Sequence, residues 1–183
     1  MESLQGHFLI ATLQMPDPRF AGAVVYLCVH NREGALGLII NQPVKDIDLA
    51  DIFRHADIPV PALPLPPVYL GGPVETSSAF FLYSADYRLG NHIAVSPTVS
   101  LTRDPQLLYD LAAGCGPRFF LPALGYAGWG GGQLESELSG DGWLILPADD
   151  EIIFRTPDDQ KWKRAARTHG IDIALFGDVV GSA

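Results

Sequence analysis

The sequence predicts the α+β class: a compact single domain with a mixed, strongly curved or barrel-like β-sheet flanked by several short helices. Three observations predict it. β-rich runs dominate the first part of the chain. Helical runs enter among later strands without the regular βαβ alternation of a parallel fold, and no internal repeat is present. At 183 residues and 48% hydrophobic, the chain has material for one core, so residues 1–183 are read as one domain.

Residues 8–13 read as the first strand. Residues 24–30 and 35–41 are β-rich runs around Asn31-Arg32-Glu33-Gly34, a hairpin signal. Strict alternation puts Val24, Tyr26, Cys28 and His30 on one face and Val25, Leu27 and Val29 on the other, so this strand is expected to be covered on both sides. Residues 47–56 read as a helix capped by Asp46. The prolines of 59–67 exclude helix and central strand, leaving an extended connector whose Val60, Leu63 and Leu65 should pack on the body.

Residues 68–70 form a short strand before Gly71-Gly72-Pro73, and 79–83 and 92–96 are further strands. Residues 102–113 read as a helix with Asp104 as cap, Pro105 in the first turn, and Leu107, Leu108, Leu111 and Ala112 as its buried stripe. Residues 119–124 form an apolar strand leading into Gly125-Tyr-Ala-Gly-Trp-Gly-Gly-Gly132, read as a tight turn that packs Trp129 and caps a short helix over 133–138. Residues 143–146 and 152–154 are read as strands, and Thr156-Pro157 starts a last helix.

The net charge is −9, from 12 Lys and Arg against 21 Asp and Glu. Phosphate neutralisation needs a basic footprint, so the charge opposes direct DNA binding. The basic cluster Lys161, Lys163, Arg164 and Arg167 reads as a solvated helix face. No apolar run is long enough for a membrane span and no export signal is read, so no membrane association and a cytoplasmic location are expected. The two cysteines, Cys28 and Cys115, match no metal or redox spacing and read as buried thiols.

The glycine segment fails as a phosphate loop. A P-loop ends in Lys-Ser/Thr where Gln133-Leu134 stands, and the dinucleotide pattern fails at Gln133. The histidines show no paired spacing, so no metal is expected; no cofactor motif is present, and no residue is assigned a catalytic role. Glu135 and Glu137, at i and i+2, do not share a helix face as an acid/base pair. His30 and Asn41 sit at the ends of the hairpin runs, either lining a pocket or satisfying backbone groups.

With those residues read, the chain resembles the bacterial AlgH/YqgE family over nearly its whole length. The resemblance is carried by GHFLIATLQMPDPRF at 6–20, VVYLCVHNREGALGLIINQP at 24–43, YLGGPV at 69–74, GYAGWGGGQLESE at 125–137, and Trp143. It implies a barrel-like mixed sheet, a cytosolic bacterial setting and the label of transcriptional regulator. Two departures are Val29, where relatives often carry an acidic residue, and the terminus Gly181-Ser182-Ala183.

The residues leave three functions open. The first is binding of an unknown protein partner or small ligand through His30, Asn41, Gly71, Gly72, Trp129, Gln133 and Glu135. The alternatives are direct DNA binding by a transcriptional regulator, and a hydrolase-like enzyme with a pocket near His30, Asn41 and Glu135. The absence of a catalytic signature favours a non-enzymatic role.

Overall fold

The computed structural model describes residues 2–175, so Gly181-Ser182-Ala183 lie outside the described residues. Nine strands form one sheet. They are β1 His7–Ala11, β2 Val24–Asn31, β3 Gly34–Ile39, β4 Tyr69–Leu70, β5 Val74–Ser84, β6 Ile93–Ala94, β7 Val99–Thr102, β8 Phe120–Gly130 and β9 Trp143–Pro147. Their order is β6-β7-β5-β8-β3-β2-β1-β9, with β4 on β8. The β4–β8 pair is parallel and all other pairs are antiparallel, so the sheet is mixed. The helices are α1 Leu49–His55, α2 Gln106–Ala112, α3 Gln133–Leu138, α4 Asp150–Phe154 and α5 Asp158–Arg167. The curled sheet with short helices is the α+β class read from the sequence.

Both faces of the central strands are covered. Phe8, Ile10, Tyr26 and Cys28 enter one apolar cluster with α4 and α5 residues Ile152, Ile153 and Ala165. Their alternates Leu9, Ala11, Val25 and Leu27 enter a second with Trp129, Leu134 and Trp143. A third cluster lies under α1 and α2, around Phe53, Phe81, Tyr83 and Leu107.

Strict alternation fails at one place in β2. The register with β3 shifts between Leu27 and Val29, a bulge that adds one residue and inverts the phase. His30, opposite Ala35, therefore joins the Leu27 face instead of the Cys28 face.

Several local expectations are corrected. Asp48, not Asp46, caps α1, because its carboxylate and that of Asp51 form a reciprocal capping box. Residues 152–154 are helical, since Asp149 caps α4 by accepting from Glu151 N–H at 2.9 Å. Thr102 belongs to β7, and α2 starts only at Gln106. In the proline connector Leu65 packs, while Val60 and Leu63 are exposed. Cys28 is buried but Cys115 is exposed.

The basic cluster on α5 is also corrected. Lys161 is buried, with 2% of its side chain exposed. Its Nζ donates to the Ile40 carbonyl at 2.6 Å, pairs with Asp158 Oδ1 at 3.0 Å and lies 4.8 Å from the Tyr69 ring centroid. It ties α5 to the end of β3 and leaves three solvated cations in that cluster: Lys163, Arg164 and Arg167.

Candidate functional site

The 125–130 stretch is not a turn but the second half of β8. β4 and β5 both pair with Ala123 and Leu124, so they lie on opposite edges of β8. The chain between them, Gly71-Gly72-Pro73, must therefore cross over β8. Gly71 bridges both neighbours: its N–H donates to the Leu124 carbonyl at 2.9 Å and its carbonyl accepts from Ile39 N–H at 2.8 Å. A Cβ at Gly72 would stand 2.0 Å from the Tyr126 carbonyl carbon, and one at Gly125 would stand 2.5 Å from the Gly72 carbonyl oxygen. Two backbones meet here without side chains between them, which only glycine allows. Gly71 and Gly72 are thus scaffold, and they deliver Pro73 and Val74 to the surface beside Trp129.

The bulge in β2 aims His30 at α3. Nδ1 accepts from Leu4 N–H at 2.9 Å, which places the ring proton on Nε2, and Nε2 donates to Glu135 Oε1 at 2.9 Å. The ring is 1% exposed and Glu135 33%. Both ring nitrogens are committed, and the pair braces the N-terminal segment and α3 against β2. The carboxyl of Glu135 is held below its ordinary 4.5 by its own backbone N–H and then by the His30 hydrogen bond. A carboxyl lowered in the fold contributes stability that is present above pH 4.5 and lost as pH falls through the lowered folded value. The melting temperature of wild type should therefore fall relative to Glu135→Gln when pH is taken from 6 to below about 4. Parallel pH profiles for the two proteins would contradict this.

Asn41 is at the other end of the hairpin. Its Oδ1 accepts from Val24 N–H at 2.9 Å and its Nδ2 donates to the Gly22 carbonyl at 2.9 Å. It closes the loop before β2 and does not join His30 or Glu135 in one pocket.

Trp129 and Gln133 are brought together. With Pro73 and Val74 they line a cleft of about 620 Å³, whose other walls are the 14–20 loop and the 140–143 turn. Phe20, Trp129 and Trp143 form its aromatic floor, with centroid separations of 5.4–6.5 Å. Glu137 organises it. Its Oε2 accepts from Trp129 Nε1 at 3.0 Å and Trp143 Nε1 at 3.1 Å, and its Oε1 accepts from Gln133 Nε2 at 3.1 Å. Gln133 in turn accepts the Gly130 N–H at 3.0 Å. Glu137, Phe20 and Trp143 were not among the expected site residues. The i, i+4 spacing of Gln133 and Glu137 was the available signal, since it puts both on one helix face. Glu135 and Glu137 serve opposite sides of α3, as their i, i+2 spacing requires.

Glu137 is exposed, so Glu137→Ala leaves the two indole N–H groups to water and should cost about 1 kcal/mol, whereas Glu137→Gln keeps a carbonyl acceptor and should cost less. Urea unfolding followed by tryptophan fluorescence measures both. Equal costs would show that the paired indoles do not depend on an acceptor.

Among the described residues, no group of three or more His, Cys, Asp or Glu is placed to hold a metal ion. Among them too, no helix is long and apolar enough to cross a membrane.

A curled mixed sheet, a glycine crossover over β8 and an aromatic cleft under a short acidic helix define one class of α+β domain. The chain belongs to the AlgH-like family, whose profile matches residues 8–174. It is 47% identical over 181 residues to a UPF0301 protein of Desulfotalea psychrophila, covering 99% of this chain and 95% of the relative. A UPF0301 protein of Cupriavidus metallidurans is 46% identical over 183 residues, covering 99% and 96%. The solution structure of the AlgH protein from Pseudomonas aeruginosa superposes with a TM-score of 0.80 at 37% identity, covering 99% of this chain and 96% of that one. A Corynebacterium diphtheriae protein shares the fold at a TM-score of 0.75 and 20% identity, covering 96% and 92%.

Proposed function

We propose that this protein acts by binding a partner through the cleft beside Trp129, in the cytoplasmic setting its family resemblance implies, and not by catalysis. The observation that carries the reading is that Trp129, Gln133 and the Pro73-Val74 step delivered by the glycine crossover line one concavity. Concave sites with an aromatic floor and few fixed polar groups are the usual form of binding sites. The hydrolase alternative has less support. His30 is shielded and has both nitrogens engaged, and Asn41 lies at the far end of the hairpin.

Direct DNA binding also has less support, because the charge is −9 and Lys161 is withdrawn from the one basic cluster.

Ser136 is exposed on the cleft rim, so Ser136→Arg obstructs the opening without touching the core. The tagged wild-type protein is expected to capture a partner from its own cell extract that Ser136→Arg, with an unchanged melting temperature, loses. Retention of every partner by the variant would refute the reading. Saturable duplex-DNA binding near about micromolar affinity at low salt would favour the regulator instead.

A further inference from the structure

We infer that the partner is an extended basic peptide segment that adds as a strand to the free edge of β8, placing a cationic side chain in the Trp129 cleft. The inference rests on the binding reading above and specifies its occupant.

The edge is defined by register. β5 reaches only to Val74, opposite Tyr126, and among the described residues no strand pairs with residues 127–130 on that side. On the other side Gly128, Trp129 and Gly130 pair with Leu36, Ala35 and Gly34 of β3. The Gly130 N–H donates to Gln133 Oε1 instead of β3. In an antiparallel ladder the outward-facing groups recur every second residue, so the N–H and C=O of Gly128 face outward as well. Gly128 is exposed and has no side chain to block an approaching backbone.

Two concavities flank this edge. Val74, Gly128 and Trp129 belong both to the 620 Å³ cleft and to a second, open hollow of about 490 Å³. An added strand sends successive side chains to opposite faces, which is the arrangement these hollows receive. A small molecule would use one of them; an extended peptide uses both.

Charge selects the side chains. The cleft carries Asp17, Glu137 and Asp141, and among the described residues Arg19 is the one cation lining it. Arg19 is committed to Asp17 through Nε at 3.1 Å and a terminal nitrogen at 2.7 Å. Glu137 has about four acceptor sites, and the indoles and Gln133 take three, leaving one on Oε1. A guanidinium or ammonium group over the indole floor meets both that acceptor and the ring faces. The second hollow adds Glu33 beside apolar Val29, Leu36 and Tyr126, which suits an apolar neighbour in the peptide.

The probe is acetyl-Leu-Arg-Leu-Arg-Leu-amide, titrated into the full chain by ¹H–¹⁵N NMR. Two comparison peptides are used, one with citrulline for both arginines and one N-methylated at the central leucine. The arginine peptide is expected to shift the Trp129 and Trp143 indole signals saturably and to slow exchange of the Gly128 amide. The Trp162 indole, which donates to the Ala11 carbonyl at 2.7 Å away from the cleft, should not move. Each comparison peptide should bind about tenfold more weakly, the value of one charge-assisted or one backbone hydrogen bond. Equal binding by citrulline overturns the cation assignment, and equal binding by the N-methylated peptide overturns strand addition. If no peptide binds while Ser136→Arg still loses a captured partner, this inference fails and the binding reading stands. If neither effect is seen, both fail.

Discussion

Gly72→Ala is expected to remove a large part of the fold's stability. The new methyl would lie 2.0 Å from the Tyr126 carbonyl carbon and 2.2 Å from the Ala127 nitrogen, both backbone atoms of the longest-paired strand. Neither can rotate away as a side chain would, so the crossing segment must lift off β8. That displaces Gly71, which hydrogen-bonds β3 and β8 at once. The cost should exceed about 4 kcal/mol, against a total stability of about 5–15 kcal/mol for an ordinary domain. Gly132→Ala is the control. Gly132 has a φ of 76° but no atom within 4 Å of an added Cβ, so only the left-handed conformation is penalised, at about 1–2 kcal/mol. Urea unfolding of the two variants separates contact from conformation. A Gly72→Ala protein as stable as Gly132→Ala would show that the two backbones are not held against each other.

The same crossing explains how far the sequence could be read. The density of glycine between 125 and 132 is visible in the sequence and marks a backbone that side chains would obstruct. Glycine content does not say whether the chain turns or passes under another segment, and the two differ in the partner, Gly71-Gly72, which lies more than fifty residues earlier. From sequence the strand therefore ends at 124, whereas in the fold it runs to Gly130. His30 shows a related limit. Its place on the hairpin was legible, but its face depended on a bulge at Leu27–Val29 that leaves no mark in a uniformly apolar run. Central strands covered on both sides have no polar alternation to betray a phase change. In the site, Trp129 and Gln133 were legible from the motif. Phe20 and Trp143 were not, because sheet order brings β9 and the 14–20 loop to them.

Lys161→Ala should be the most damaging change on α5, although the residue reads in sequence as one more surface cation. The substitution removes the donor to the Ile40 carbonyl, the partner of Asp158 and a packed aliphatic stem. Breaking one side of a buried ion pair costs about 3–5 kcal/mol, and the low end applies because Asp158 stays 25% exposed. Lys161→Met keeps the stem and should recover part of the loss, so the difference between the two variants measures packing alone. The pH dependence tests the electrostatics. Burial pulls the ammonium below its ordinary 10.5, against the opposing pull of Asp158. Between that lowered value and 10.5 the unfolded chain binds the proton more strongly than the fold does, so the group adds stability as pH rises. The stability gap between wild type and Lys161→Met, followed by chemical unfolding at increasing alkaline pH, should therefore widen. If it narrows, the ion pair outweighs burial and the ammonium holds its proton more tightly in the fold than in water. In that case the link from α5 to β3 is primarily electrostatic, and high salt should weaken it; if the gap widens, desolvation dominates and the link depends chiefly on the hydrogen bond to Ile40 and the packing of the stem on Tyr69.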